Sequence, residues 1–381
     1  MKTWFLWAVV LFAFSAGSKS AQAVKYNVID LGSVQGFYAA VPWSINSDGR
    51  IVGYVYRYTE SYDVEQRAIE FDTTGACNNT ILYPGEGSAF GINNSNQIMG
   101  MGLFEGGYFA TFFDGNNFSS SNTAGINESG LIAVSTSAPS LNSYNVFTCD
   151  RNGNMDLIAI CPGRPELNGL NDKSQIVGSS GNYNERLAVL FSAEVGCRYL
   201  GTLGGDISIA VSINNSGQIV GSAQDVNDQQ WATLFCSNNP ALNIKLGSVP
   251  GTYGSRAISI NDAGQIVGFA SECKDFYFLT SDIAVLFNPD GSGLNTDLNT
   301  LIDPQSGWHL DCATDINNKG WIIGTGMRNG YETPRGFLLR PADYCDAGPQ
   351  GDVNGDCVVN FTDFAMMAAS WMKSNRILVS E

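Results

Sequence analysis

Histidine is almost missing from this chain: His309 stands alone among 381 residues. Histidine-rich metal sites and the H-E-x-x-H zinc helix are therefore excluded, and general acid–base chemistry loses its commonest side chain. Positive charge is scarce as well, with 20 Lys and Arg against 36 Asp and Glu and a net charge of −16. No basic stripe exists to meet a phosphate backbone or an anionic lipid surface, which argues against nucleic acid as a partner. No G-x-S-x-G elbow, phosphate-cradling glycine loop or C-x-x-C pair occurs. The glycines of LGTLGGD, ending at Asp206, read as a turn between structural units. The nine cysteines are too sparse to build a fold but suit an oxidising compartment. Cys77, Cys149, Cys161, Cys197, Cys236, Cys273 and Cys312 admit no pairing from sequence.

Long apolar runs are absent except at the start. Lys2, the apolar stretch Trp4 to Phe14 and the small-x-small site Ala21-Gln22-Ala23 make residues 1–23 a secretory signal peptide. The apolar run is too short for a comfortable membrane span, so after cleavage no integral span is expected and the protein is expected outside the cell or at its surface. Loss of Lys2 and Lys19 with the leader would take the net charge to −18.

What the chain does have is a repeat. SINSDGRIVG, GINNSNQIMG, GINESGLIAV, GLNDKSQIVG, SINNSGQIVG, SINDAGQIVG and DINNKGWIIG place an Asn at positions 46, 93, 127, 171, 214, 261 and 317, at intervals of 47, 34, 44, 43, 47 and 56. Each copy reads as a hairpin. The Asn side chain can bond backbone two residues on, and Gly takes the left-handed conformation that a bulged hairpin loop requires. Where Gly is lost, Asn96 is the next most tolerant residue and Ser174 a poorer one. Turn chemistry rather than ligand binding is thus the reading of these Asn and Gly residues.

Small residues before the Ile (Ser44, Gly91, Gly125, Gly169, Ser212, Ser259, with Asp315 the exception) and Ala89, Ala210, Ala257 and Ala313 two residues earlier suit strands stacked on both sides. A second strand, apolar and read as the outer one of its unit, follows six of the seven hairpins: RAIEF, FATFF, LAVLF, WATLF, IAVLF and RGFLL. Phrases containing Leu-Gly, such as IDLGS, YLGTLGG and KLGSVPG, mark a linker strand. About four strands per unit of ~45 residues predict an all-β fold, a seven-bladed β-propeller over residues 24–341. KYNVIDLG near the start and RGFLLRP at the end are expected to share one blade and shut the ring.

Candidate chemistry is thin. His309, between Trp308 and Leu310, reads as structural, since no spacing supplies a base with a positioned partner. Asp206, Glu272 and Asp275 lie in loop-like stretches and read as solvated charges, though propeller loops can carry glycosidase or lyase carboxylates. The aromatic YVYRYTESY, Tyr54 to Tyr62, reads as an exposed strand packed by its neighbour, with a sugar-stacking face as the alternative.

After a linker at 342–350 the composition changes. In the C-terminal segment, residues 351–381, DVNGDCVVNFTD places oxygen-bearing side chains at loop positions 1, 3, 5, 9 and 12: Asp352, Asn354, Asp356, Asn360 and Asp363. Val358 offers its carbonyl at position 7, the oxygen cage that Ca²⁺ prefers. Phe364, Met367 and Trp371 recur at helical spacing, predicting a helix from about Thr362. Cys357 takes the place of the usual Gly, and a Cys345–Cys357 disulfide is one way to hold that turn.

Over roughly residues 25–340, the I-N-x-x-G-x-I-V-G hairpins with their A-x-L-F strands resemble the HAF-type extracellular repeat proteins of bacteria. Ala133 is read here at the closing Gly of the third copy, and the family's His before the Ala-Phe strand is missing. The resemblance implies secretion and a repeat β architecture and no established activity. DVNGDCVVNFTD resembles the calcium-loop half of a type I dockerin, without the second copy, and implies a cohesin-like partner. The expected function is a secreted non-catalytic binding or scaffold protein with a polysaccharide or cell-surface ligand; the alternative is a polysaccharide-active enzyme using loop carboxylates.

Overall fold

The computed structural model describes residues 25–342, except 60, 62, 105–106, 114–116, 119–122, 139–142, 182–184 and 273–281, together with Phe364 and Met367. The described residues form seven four-stranded antiparallel sheets with almost no helix. Blades one to six use consecutive strands, beginning with the inner strands Ala39–Ile45, Gly87–Ile92, Thr123–Ile126, Pro165–Leu170, Gly204–Ile213 and Gly254–Ile260. Blade seven runs Trp308–Ile316, Ile322–Arg328 and Arg335–Pro341, and takes its outermost strand from Tyr26–Gly32. Val28 pairs with Leu339, Ile29 with Leu338 and Asp30 with Phe337, so both ends of the propeller lie in one sheet, as expected. The described residues from 25 to 342 make a closed seven-bladed β-propeller.

The hairpin turns follow the expected chemistry. In blade one the Gly49 amide bonds the Asn46 carbonyl at 3.0 Å, and Gly49 has φ 87°. Asn96 and Ser174, which replace Gly, take φ 63° and 55°. Two details of the unit differ from the reading above. The A-x-L-F strands are third of four rather than outermost, and the Leu-Gly phrases belong to the outer edge of the preceding blade. In the third copy Val134, not Ala133, stands at the closing Gly, because Val134 is the residue opposite Thr123.

Seven buried apolar clusters hold the molecule together, one at each interface between neighbouring blades. Between blades four and five, Val177 and Ala188 pack with Ala210, Ile219 and Phe235. The alternation of the I-V-G strand explains this. Ile176, Ile219 and Ile266 face the preceding blade, while Val177, Val220 and Val267 face the next. Each side chain is lost to water on one interface, and no single central core exists among the described residues. Cys161 and Cys197 form a disulfide, with Cα atoms 5.5 Å apart, that joins the outer strands of blades three and four.

Candidate functional site

Each inner strand carries a β-bulge just before its hairpin. The bulge pushes a carbonyl toward the second strand. A Cβ on Gly53, Gly100, Gly178, Gly221, Gly268 or Gly324 would overlap the carbonyl oxygen of Val41, Ser88, Glu166, Ile209, Arg256 or Cys312. The closing Gly of I-V-G is thus required by its neighbour strand. Blade three has Val134 there, and its bulge falls one residue later, at Gly125. A bulge re-aims the extra residue. Here the seven re-aimed residues, Trp43, Phe90, Gly125, Asn168, Val211, Ile258 and Thr314, all line one axial cavity of about 430 Å³.

At one end the cavity is closed off by the hairpins. The seven repeat Asn residues are only 2–5 % exposed. Each Nδ2 donates to the carbonyl of the next repeat Asn, at 3.2, 3.0, 3.3, 3.1, 3.0, 3.0 and 3.0 Å around the circle, with Asn317 returning to Asn46. The Oδ1 of Asn214 meanwhile accepts from the Ser216 and Gln218 amides at 3.1 and 2.9 Å, which is the expected turn bond. Turn chemistry was therefore only half of the role. The signal was present: seven copies use Asn, never Asp or Ser, at a place where only the amide donor distinguishes them.

One residue on, a second tier surrounds the mouth. Amides of Ser47, Asn94, Glu128, Asp172, Asn215 and Asp262 each donate to the next side-chain oxygen at 2.7–3.0 Å. Glu128, Asp172 and Asp262 make this mouth acidic. Burial raises the Glu128 carboxyl above its usual range, and the Asp172 and Asp262 charges add to that. Inside the Asn ring, Ile45, Ile92, Ile126, Leu170, Ile213, Ile260 and Ile316 line the mouth, and Leu170 and Ile213 also border the cavity.

The cavity wall holds two charged groups. Asp315 stands where other blades have Ser or Gly. Its carboxylate accepts from Ser259 Oγ at 2.6 Å, the Ile316 amide at 2.9 Å and the Ile45 amide at 3.0 Å, tying blades six, seven and one. Burial raises its pKa and these bonds oppose the rise. Arg256, two residues before the bulge of blade six, points into the same space. It keeps some accessible surface because the cavity itself has room for solvent, yet protein encloses it, and its Nε is buried with no hydrogen-bond partner among the described residues. Burial lowers the pKa of this guanidinium and Arg186 lowers it further, while Cys312 acts in the opposite sense. Burial pushes the Cys312 thiol up to about 12, so it is neutral and a poor nucleophile.

Toward the other end of the inner strands, His309 Nδ1 lies 2.8 Å from Asp311 Oδ1. The expectation of a packed, partnerless His309 is corrected: residues two apart on a strand share a face, and this side chain is 53 % exposed. Burial raises the Asp311 carboxyl, and His309 opposes that. Asp206 lies on the inner strand of blade five and Glu272 just beyond the second strand of blade six; Asp275 lies outside the described residues. Tyr54, Tyr56 and Tyr58 form a row, with centroids 6.4 and 6.1 Å apart, that meets Trp43 of the cavity wall at 6.4 Å. The strand is packed by its neighbours as expected, but as the second of four in blade one it is mostly buried and not exposed, and the row links the cavity to the exposed Tyr58.

Asp352, Asn354, Asp356, Val358, Asn360 and Asp363, with Cys345, Cys357, Trp371 and the leader 1–23, lie outside the described residues. Phe364 and Met367 are helical and exposed. Among the described residues no cluster of three or more His, Cys, Asp and Glu is arranged to hold a metal ion, and no helix is long and apolar enough to cross a membrane.

No protein-family model matches the chain, and none of the curated proteins matches its sequence. Among solved structures the chain is similar to TolB from Acinetobacter baumannii, at 12% identity and TM-score 0.41, covering 63% of this chain and 61% of that one. It thus spans about three fifths of the length of that TolB. It is also similar to the β-propeller domain of the Trilobed protease from Pyrococcus furiosus, at 9% identity and TM-score 0.37, covering 81% and 84%. A streptogramin B lyase matches at 11% identity and TM-score 0.37, covering 84% and 99%.

Proposed function

We propose that this is a secreted, non-catalytic binding or scaffold protein. Its propeller carries the ligand-facing channel, and the 351–381 segment is a dockerin-like calcium module that attaches it to a cohesin-like partner on an extracellular or cell-surface assembly. The observation that carries the reading is the chemistry of the cavity. Among the described residues its one carboxylate, Asp315, is occupied by three hydrogen bonds at 2.6–3.0 Å that tie blades together, so it supports shape rather than proton transfer. Closure adds to this. The Ala342 amide bonds the Lys25 carbonyl at 2.9 Å, which fixes where the C-terminal segment leaves the last blade.

A glycan and polysaccharide array on the chain without its leader tests the reading: retention without product release is expected, and released product would overturn it. Titration calorimetry tests the anchor. About one Ca²⁺ per chain is expected, lost in the Asp352→Ala, Asp363→Ala double variant, and no heat beyond buffer at millimolar calcium would remove the calcium module.

A second reading, a polysaccharide-active enzyme, is favoured by one feature only, the His309–Asp311 pair with its hydrogen-bonded geometry. Product release abolished by His309→Ala would select it.

A further inference from the structure

Among the described residues Arg256 is a cation without a counter-ion. No ion pair or hydrogen bond to its guanidinium exists among the described residues, and its Nε is shielded from solvent. The groups that could neutralise it are otherwise engaged. Asp315 on the same cavity wall gives its oxygens to Ser259, Ile316 and Ile45. Glu166 pairs with Arg186. Cys312 carries no charge near neutral pH. A charge left enclosed and unpaired is costly to folding, and a buried polar group without a partner calls for a functional account.

The surroundings narrow what would complete it. The cavity of about 430 Å³ falls in the size range of small-molecule sites, roughly 300–1,000 Å³. Its wall is mainly apolar. Trp43 and Phe90 meet edge to face at 5.7 Å and make an aromatic corner, and Ile258 and Val211 continue it. Ser212 and Thr314 add hydroxyls. A single guanidinium matches one carboxylate in a two-pronged contact, whereas a phosphate dianion calls for more donors than one Arg provides. Resting on the reading of the channel as a binding site, we propose that Arg256 anchors the carboxylate of a small organic acid whose flat, apolar body lies against Trp43 and Phe90.

The test uses the chain without its leader, thermal shift and titration calorimetry at pH 7 and constant ionic strength, with benzoate, neutral benzamide and galacturonate as probes. Benzoate is expected to raise the melting temperature and to bind at least tenfold more tightly than benzamide or galacturonate. Arg256→Gln is expected to melt no lower than the parent without ligand, because it removes an enclosed charge, and to lose the benzoate response; Arg256→Lys should keep part of it. Equal binding of benzoate and benzamide would overturn the proposal, as would an undiminished response in Arg256→Gln. An unliganded Arg256→Gln that melts lower would make Arg256 structural and overturn it too, and galacturonate binding more tightly than benzoate would overturn the apolar body. If benzoate fails to bind the parent while polysaccharide is still retained, the binding function stands and this inference falls.

Discussion

Replacing Asn214 by Ala removes both halves of a repeat amide at once. Its Oδ1 accepts from the Ser216 and Gln218 amides, and its Nδ2 donates to Gln218 Oε1 at 2.8 Å and to the Asn261 carbonyl at 3.0 Å. Four bonds at roughly 0.5–1.5 kcal/mol each bound the loss at about 2–6 kcal/mol. The turn amides are only partly buried and regain water, while the buried Asn261 carbonyl does not, so about 3 kcal/mol is expected. For a body of roughly 320 residues that is a fall in melting temperature of about 4–5 °C by scanning calorimetry. Asn214→Asp separates the two halves. It keeps the acceptor but sets a carboxylate against the Asn261 carbonyl, which raises its folded pKa above the unfolded value of about 3.9. Stability from a group shifted in that direction is present below the unfolded pKa and is lost as pH rises through the folded one. The Asp variant should therefore match the parent most closely near pH 3–4 and fall behind toward pH 7. A loss in Asn214→Ala no larger than in Ser216→Ala, or an Asp variant whose deficit ignores pH, would refute a ring held by donated amides.

Asp30 on the first strand meets Arg335 at 2.9 Å and Arg328 at 2.6 Å in the closing blade, and despite its burial these partners and the Gly32 amide hold its pKa below the usual range. Asp30→Asn should cost about 2 kcal/mol at pH 7; because the folded pKa is depressed, the gap to the parent should be full above the unfolded pKa of about 3.9 and close as pH falls below it, read by thermal melts across pH. Gly217→Val and Gly264→Val should each cost about 1 kcal/mol or more, since both residues have positive φ and an added Cβ would meet only the end of a Gln side chain. Gly221→Ala should cost more, about 2–3 kcal/mol in a denaturant titration, because its methyl would meet the Ile209 carbonyl and not a movable side-chain end. Reducing Cys161–Cys197, which are 36 residues apart, or replacing both by Ser, should lower stability by about 3–4 kcal/mol, and an unchanged melt would deny the link a role.

The repeat made the architecture legible because turn chemistry is local. An Asn, two polar residues and a residue tolerant of positive φ dictate a bulged hairpin whatever surrounds it, and even the substitutes Asn96 and Ser174 took that conformation. Closure was legible for a related reason: two orphan strands at the two ends needed partners. What could not be read were the consequences of going around the circle. The donor half of each Asn acts on a carbonyl 34 to 56 residues away in the next blade, or 271 away where Asn317 meets Asn46. The bulges turn Trp43, Phe90 and Ile258 inward against the simple alternation of a strand, so the cavity lining was invisible to a period-two reading. His309 escapes any motif spacing because its partner stands only two residues along the same strand. The isolated charge of Arg256 depends on which acids are already occupied, which no linear pattern records.

The seven Asn bonds all run the same way round the axis, each amide giving to the next blade around the ring. Such a circuit has a sense of rotation but no beginning. Its bond dipoles lie along the circumference and largely cancel across the axis, so the field at the mouth is left to Glu128, Asp172 and Asp262. It also makes the number of blades a discrete property. Any open arc of such units ends with one idle donor and, at the other end, one idle carbonyl, whatever its length. Gaining or losing a single repeat is therefore tolerated only if the chain bends anew until the last amide again reaches the first carbonyl.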